Sequence, residues 1–198
     1  MASSSANASI SIAIYGHISA TPQLFAQFFK GTVEEEACAD ADVALFLINP
    51  SAGIDQRTIE LWHAFDEFQT PRMVLVTVLD GMELDFDDAV LLANRVFDPL
   101  VTPYLVLHGE SGTPIGTISL KTLETRDYST NPPTIGLGDS ELQELVKDFR
   151  EEYFEQMIEM EDGAFAAGIL FPAIPVNPSN GLGNDIVEDF LQQLPGRS

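Results

Sequence analysis

At 198 residues, the chain is long enough for one full hydrophobic core with a small appended lobe. Its 31 acidic residues against 9 basic ones leave a net charge of −22, too few cations to neutralise phosphate, which argues against nucleic acid and anionic membrane as partners. The one cysteine, Cys38, excludes an internal disulfide and a multi-cysteine metal cluster, and no apolar run approaches the ~20 residues of a spanning helix.

The start of the chain, residues 1–9, is small and polar without the basic region of a signal peptide; it reads as a flexible tail, with the cytoplasm as the expected compartment. Near-continuous apolar runs then predict buried parallel strands at Ile10–Tyr15, Val43–Asn49, Met73–Leu79 and Gly168–Ile174. Helical spacing of apolar residues predicts helices at Pro22–Lys30, Thr58–Phe68, Phe86–Phe97 and Leu182–Leu194, and a further helix is expected around Glu36–Asp40. Between the third and fourth runs the pattern changes. Tyr104–Leu107 and Ile115–Leu120 read as a hairpin around the turn Gly109–Pro114. After Pro132-Pro133 comes a long acidic helix, Ser140–Met160, with Leu142, Leu145, Val146, Phe149, Tyr153, Met157 and Met160 as its buried stripe. Pro172 inside the last run removes a ladder donor, so that strand is expected at a sheet edge.

The alternation predicts an α/β fold: a mostly parallel sheet of about four main strands in three layers, with a small α+β insertion. The expected division is a core of 10–99 and 162–198 and an insertion of 100–161.

The first strand runs into Tyr15-Gly-His-Ile-Ser-Ala-Thr-Pro-Gln23. This resembles the phosphate-binding loop of a P-loop GTPase, which needs G-x-x-x-x-G-K-[ST] so that backbone N–H groups, a Lys and a hydroxyl can hold the phosphates and Mg²⁺. Gly16 is in place, but Thr21, Pro22 and Gln23 stand where the second Gly, the Lys and the hydroxyl belong. Further along, Ala41–Thr58, Pro71–Asp80, Ile169–Val176 and Gly181–Pro195 follow in the order of a recognisable pattern. Together with Ile12–His17 they resemble the G domain of bacterial elongation factor G and the other translation GTPases. The region of Pro103, Gly116 and the long acidic helix is similar to the extra subdomain of that factor.

The resemblance implies a P-loop-GTPase-like core in degenerate form. The family's Asp-x-x-Gly switch and the segment carrying the Mg²⁺-binding Thr are absent, and Thr77 and Val78 occupy the places of the guanine-reading Asn and Lys. Asp80 keeps its counterpart's identity, and Val176–Asn180 stands where the last guanine loop belongs. It therefore implies a remnant nucleotide site of Gly16, His17, Asp80 and Asn177, against which packing and turn roles for the same residues are the simpler readings. The expectation is a pseudo-GTPase with no catalytic residues, no cofactor and no metal, acting through a protein partner such as a translation factor or the ribosomal stalk. The alternative is an atypical guanine-nucleotide binder that holds GDP or GTP weakly. Loss of two family strands would expose Ile10–Tyr15 as a sheet edge, so homodimerisation there is also expected. The resemblance ends with the G domain, so the family's later domains are expected to be lacking. His17, His63 and His108 have neither the i,i+4 partner nor the cysteine of a zinc site.

Overall fold

The structure, a computed structural model, describes residues 10–78 and 85–196. Each apolar run becomes a strand followed, directly or after a loop, by a helix. In chain order these are β1 (Ile12–Gly16), α1 (Pro22–Phe29), β2 (Thr32–Val33), β3 (Val43–Ile48), α2 (Gln56–Ala64), β4 (Arg72–Thr77) and α3 (Phe86–Ala93). A second group follows: β5 (Tyr104–His108), β6 (Pro114–Ser119), β7 (Glu124–Asp127), β8 (Thr134–Leu137), α4 (Ser140–Leu145) and α5 (Lys147–Met157). The chain then returns to β9 (Ala173–Val176) and α6 (Asn184–Leu191).

The first group and β9 build a parallel sheet in the order β2-β1-β3-β4-β9. Side chains alternate between its faces because the strand period is two. Ile12, Ile14, Leu45, Leu47, Met73, Leu75 and Ile174 face Phe25 and Phe29 of α1 and Ile186 and Val187 of α6. Tyr15, Phe46, Ile48, Val74 and Val76 face Trp62 of α2, Phe65, and Phe86 and Ala89 of α3. A sheet covered on both sides explains why its strands read as unbroken apolar runs. Among the described residues no helix is long and apolar enough to cross a membrane.

The second group forms an antiparallel sheet, β5-β6-β7-β8. The expected hairpin is its first pair; β7 and β8 were not expected, because Glu124–Asp127 is wholly polar and Thr134–Leu137 is four residues long, too short for a periodic signal. This sheet is not a separate lobe. Ile118 and Leu120, with Val146 and Tyr153 of the helical segment, join the same core as Met73 and Leu75. Arg126 on β7 ties it to α6 through Asp185 at 2.7 Å and Asp189 at 3.0 Å.

Several expectations need correction. The run Ile10–Tyr15 is not a sheet edge, because β2 pairs with β1 at Ala13↔Thr32 and Ile14↔Val33, and the Glu34 N–H donates to the Ile14 carbonyl at 3.1 Å. Homodimerisation through that edge falls with it. Gly31 permits the pairing: a Cβ there would meet the Ile12 carbonyl oxygen at 2.9 Å. Residues 36–40 are not helical. The Tyr15 hydroxyl donates to the Glu36 carbonyl at 3.0 Å and accepts from the Cys38 N–H at 3.1 Å, which pins this irregular segment to β1. The long helix breaks at Val146 (φ −92°, ψ 3°), which enters the core while Leu145 and Phe149 stay exposed.

The last strand lies later than Gly168–Ile174, yet it is an edge as expected. The Pro172 and Val176 carbonyls accept from the N–H groups of Val74 in β4 and Val78 just after it, whereas the Ala173 N–H turns outward to Val101. Pro175 shares the outward alternation of Ala173, so its missing N–H costs β4 nothing.

Candidate functional site

In an open parallel sheet, ligands bind beyond the carboxyl ends of the strands. Here those ends present Gly16 from β1, Asn49 after β3, Thr77 and Val78 from β4, and Asn177 after β9. Gly16 has φ 145°, and a Cβ would lie 2.6 Å from the Leu47 carbonyl oxygen, so glycine is required whatever binds there.

Beyond Gly16 the chain forms one 3₁₀ turn, Ile18–Ala20, and enters α1 at Pro22 through Thr21, held at φ 54°. This turn uses its own donors. The Ser19 N–H donates to His17 Nδ1 at 3.2 Å, Ala20 to the His17 carbonyl at 2.9 Å and Thr21 to the Ile18 carbonyl at 3.0 Å. Leu24 donates to the Thr21 carbonyl at 3.0 Å, and Pro22 has no N–H. Asn49 Nδ2 donates to the Ser19 carbonyl at 3.0 Å and clamps the turn to the end of β3. A phosphate cradle needs converging free N–H groups at a helix start; at this helix start the Ser19, Ala20, Thr21 and Leu24 donors are all occupied within the chain.

Beside the turn opens a cleft of about 520 Å³, lined by Gly16, His17, Ile18, Glu34, Glu35, Glu36, Asp55, Arg57, Thr58 and Leu61. Its charge is mostly negative. Arg57 is directed to the Glu35 carbonyl at 2.7 Å and to Glu60 at 3.8 Å. Asp55 is the N-cap of α2, accepting from the Thr58 N–H and hydroxyl, both at 2.8 Å. Burial works to raise its pKa, but the bonds from Thr58, with His17 nearby, outweigh burial and hold the carboxyl below the ordinary range. The cap role was legible in Gly53–Thr58; the meeting of Asp55 with Glu34–Glu36 was not, because it depends on β2 folding back along β1.

The sequence-derived site residues are not gathered in one place. Gly16 and His17 line the acidic cleft. Asn177 is 4% exposed and closes its own loop: its N–H donates to the Leu182 carbonyl, and its Oδ1 accepts from the Ser179 N–H at 2.8 Å. Asp80 lies outside the described residues. Thr77 gives its hydroxyl to the Ile48 carbonyl at 3.1 Å and Val78 is buried, so neither offers the contacts of a guanine-reading Asn or Lys.

A second polar group sits at the C-terminal end of α2. Buried Arg72 lies over Trp62 and Phe171, donates to the Trp62 carbonyl at 2.6 Å, and contacts Asp66 at 2.8 Å. Asp98 takes the Trp62 Nε1–H at 2.8 Å, and His63 stands 3.6 Å from Asp66. His63, Asp66 and Asp98 bring ligand-type atoms within 4.8 Å of one another. The guanidinium already supplies the positive charge between the two carboxylates, which makes this a structural ion network.

No protein-family model matches the chain. Among curated proteins, an elongation factor G-like protein of Mycobacterium tuberculosis is 27% identical over 177 residues, covering 78% of this chain and 24% of its own length. Elongation factor G of Ruegeria sp. is 26% identical over 150 residues, covering 73% of this chain and 21% of its own length. The chain thus spans less than a quarter of the curated relatives it matches. A solved structure of a Thermus thermophilus protein superposes with a TM-score of 0.71 at 18% identity, over 94% of this chain and 40% of that one.

Proposed function

Because this chain is a relative of the elongation factor G domain in the translation GTPase family, we propose that it is a pseudo-GTPase. On this reading the fold neither holds GTP·Mg²⁺ tightly nor hydrolyses it, and it acts by binding another protein, a translation factor or the ribosomal stalk, through its inserted sheet and helices. The observation that carries the reading is the closed turn after β1, where the Ser19, Ala20, Thr21 and Leu24 N–H groups are bonded within the chain and Pro22 has none.

The acidic cleft supports it independently. A carboxylate ~5 Å from a phosphate charge costs about 3 kcal/mol at an effective dielectric of 20, and Glu34, Glu35, Glu36 and Asp55 all line the wall. The Lys that would offset them is Pro22.

Titration calorimetry with GDP and GTP, with and without Mg²⁺, tests this directly. The expected outcome is no binding at ~100 μM ligand, weaker than about −5.5 kcal/mol. Micromolar binding that requires Mg²⁺ would overturn the reading in favour of a nucleotide-binding G domain. A Thr21→Gly, Pro22→Lys, Gln23→Thr variant sharpens the result. It restores the residue types, and it is expected to stay below micromolar affinity because Thr77, Val78 and the acidic wall remain.

A further inference from the structure

Two cavities adjoin where α3 meets the insertion. One, of about 230 Å³, is lined by Val90, Leu91, Leu100, Leu105, Phe149 and Glu152 among others. The other, of about 190 Å³, includes Asp85, Val106, Leu107, Leu142 and Leu145 in its wall. Asp87, Leu105 and Phe149 belong to both, so they form one groove with a ridge at Phe149. Each half is smaller than the ~300–1,000 Å³ of small-molecule sites, a size suited to single apolar side chains entering side by side.

The groove's upper surface is apolar and uncovered: Leu91 is 62% exposed, Leu145 73% and Phe149 47%. The rim is acidic, with Asp85 and Asp87 at the start of α3 and Glu152 on α5. Among the described residues no Lys or Arg lines either half, and His108 is the one imidazole. Burial, with Asp85 and Asp88 adding like charge, pushes the Asp87 carboxyl above the usual carboxylate range.

We propose that this groove docks a basic amphipathic helix of another protein, seating its apolar stripe against Leu91, Leu105 and Phe149 and its Lys or Arg residues toward Asp85, Asp87 and Glu152. Charge selects this occupant. A second copy would bring 31 acids and 9 bases against an acidic rim, and an anionic membrane is repelled for the same reason. A helix presenting anchors at i, i+3, i+4 and i+7 matches two adjoining pockets, which is the helix-in-groove mode. The inference rests on reading the chain as an interaction module, and it names the surface and the partner's chemistry.

The test uses a fluorescein-labelled helical peptide of about 18 residues with Leu on one stripe and Lys elsewhere, followed by anisotropy against the full chain at physiological salt. Two controls accompany it: the same composition with the stripe scrambled, and a version with Glu in place of Lys. The parent peptide is expected to bind, with both controls about tenfold weaker or worse. Phe149→Ala and Leu91→Ser are each expected to weaken it about tenfold, as the loss of a central anchor does. Asp85→Asn with Asp87→Asn should weaken it and flatten its salt dependence. Glu34→Gln with Glu35→Gln, in the other cleft, should change nothing. Circular dichroism melts confirm that each variant is folded.

No binding by the parent peptide overturns the proposal. So does equal binding of the scrambled peptide, or indifference to Phe149→Ala and Leu91→Ser. Concentration-dependent self-association relieved by Phe149→Ala also overturns it, in favour of a second copy. Nucleotide titration reads the closed turn separately, so failure of the pseudo-GTPase reading and failure of the groove are told apart.

Discussion

The turn after β1 and the face between α3 and α5 treat their unsatisfied groups in opposite ways. At the turn, where the related fold places phosphate, four backbone donors, the His17 ring and the Asn49 amide are bonded within the chain. At the insertion, large apolar side chains are left in water: Leu91, Leu145 and Phe149 are exposed beside an acidic rim. A free donor at a helix start invites an anion, and an uncovered apolar patch invites a protein surface. On the proposed reading, the pairing of a closed polar corner with an open apolar face is what would separate an interaction module from a nucleotide switch.

Breaking the core under α2 should give the largest effect. Trp62 is fully buried, stacks on Phe97 at 4.4 Å and lies under the Arg72 guanidinium. Trp62→Ala is expected to cost about 3–5 kcal/mol in urea unfolding, and a loss under about 1 kcal/mol would contradict this packing. Next comes a glycine contrast between the two regions. Gly16→Ala forces a Cβ toward the Leu47 carbonyl at φ 145° and is expected to cost about 2–3 kcal/mol. In the inserted sheet, a Cβ on Gly136 meets only the Thr125 hydroxyl oxygen, at 3.7 Å, so Gly136→Ala should fall within about 0.5 kcal/mol of wild type.

Tyr15→Phe removes the link to Glu36 and Cys38, at about 1 kcal/mol, with a pH signature. Burial pushes the Tyr15 phenol up to about 12, so the folded value lies above the unfolded one of ~10. The stabilisation is therefore complete below pH ~10 and is lost as pH rises toward 12. The wild type should lose stability across that window more steeply than Tyr15→Phe, as read by denaturant midpoints.

Asp55 has the opposite sign. Its folded pKa is depressed, so its contribution is present above ~3.9 and lost as pH falls through the folded value. Asp55→Ala should cost about 1 kcal/mol at pH ~7 and less in acid. As small as Gly136→Ala, Phe149→Ala should change stability by no more than about 0.5 kcal/mol, which keeps it clean as a binding probe.

Much of the core was legible because its signals are local. Near-continuous apolar runs marked β1, β3 and β4, the 3.6-residue period marked α1, α3 and α6, and Pro22 marked both a helix start and a missing phosphate donor. The candidate site was legible only as a loss of residue types at Thr21, Pro22 and Gln23. Its geometry was not, because Glu34–Glu36 come to line one cleft with Asp55 through a two-residue strand that no periodicity can announce. The insertion was half legible: apolar residues on either side of the Gly109–Pro114 turn mark the β5–β6 hairpin, while β7 and β8 are short and pair through backbone with exposed or half-exposed residues.

Residue order alone thus determined the α/β alternation, the buried parallel strands and the absence of a lysine to grip phosphate, since each depends on neighbours a few positions apart. Tertiary structure decided the rest: that β2 covers β1, that the helix breaks at Val146, that the two sheets share one core, and that acids line one cleft and rim another. Those outcomes hang on contacts across long stretches of chain, such as the Tyr15 hydroxyl on Cys38 and Arg126 on Asp185, whose energies exist only once the chain has closed on itself.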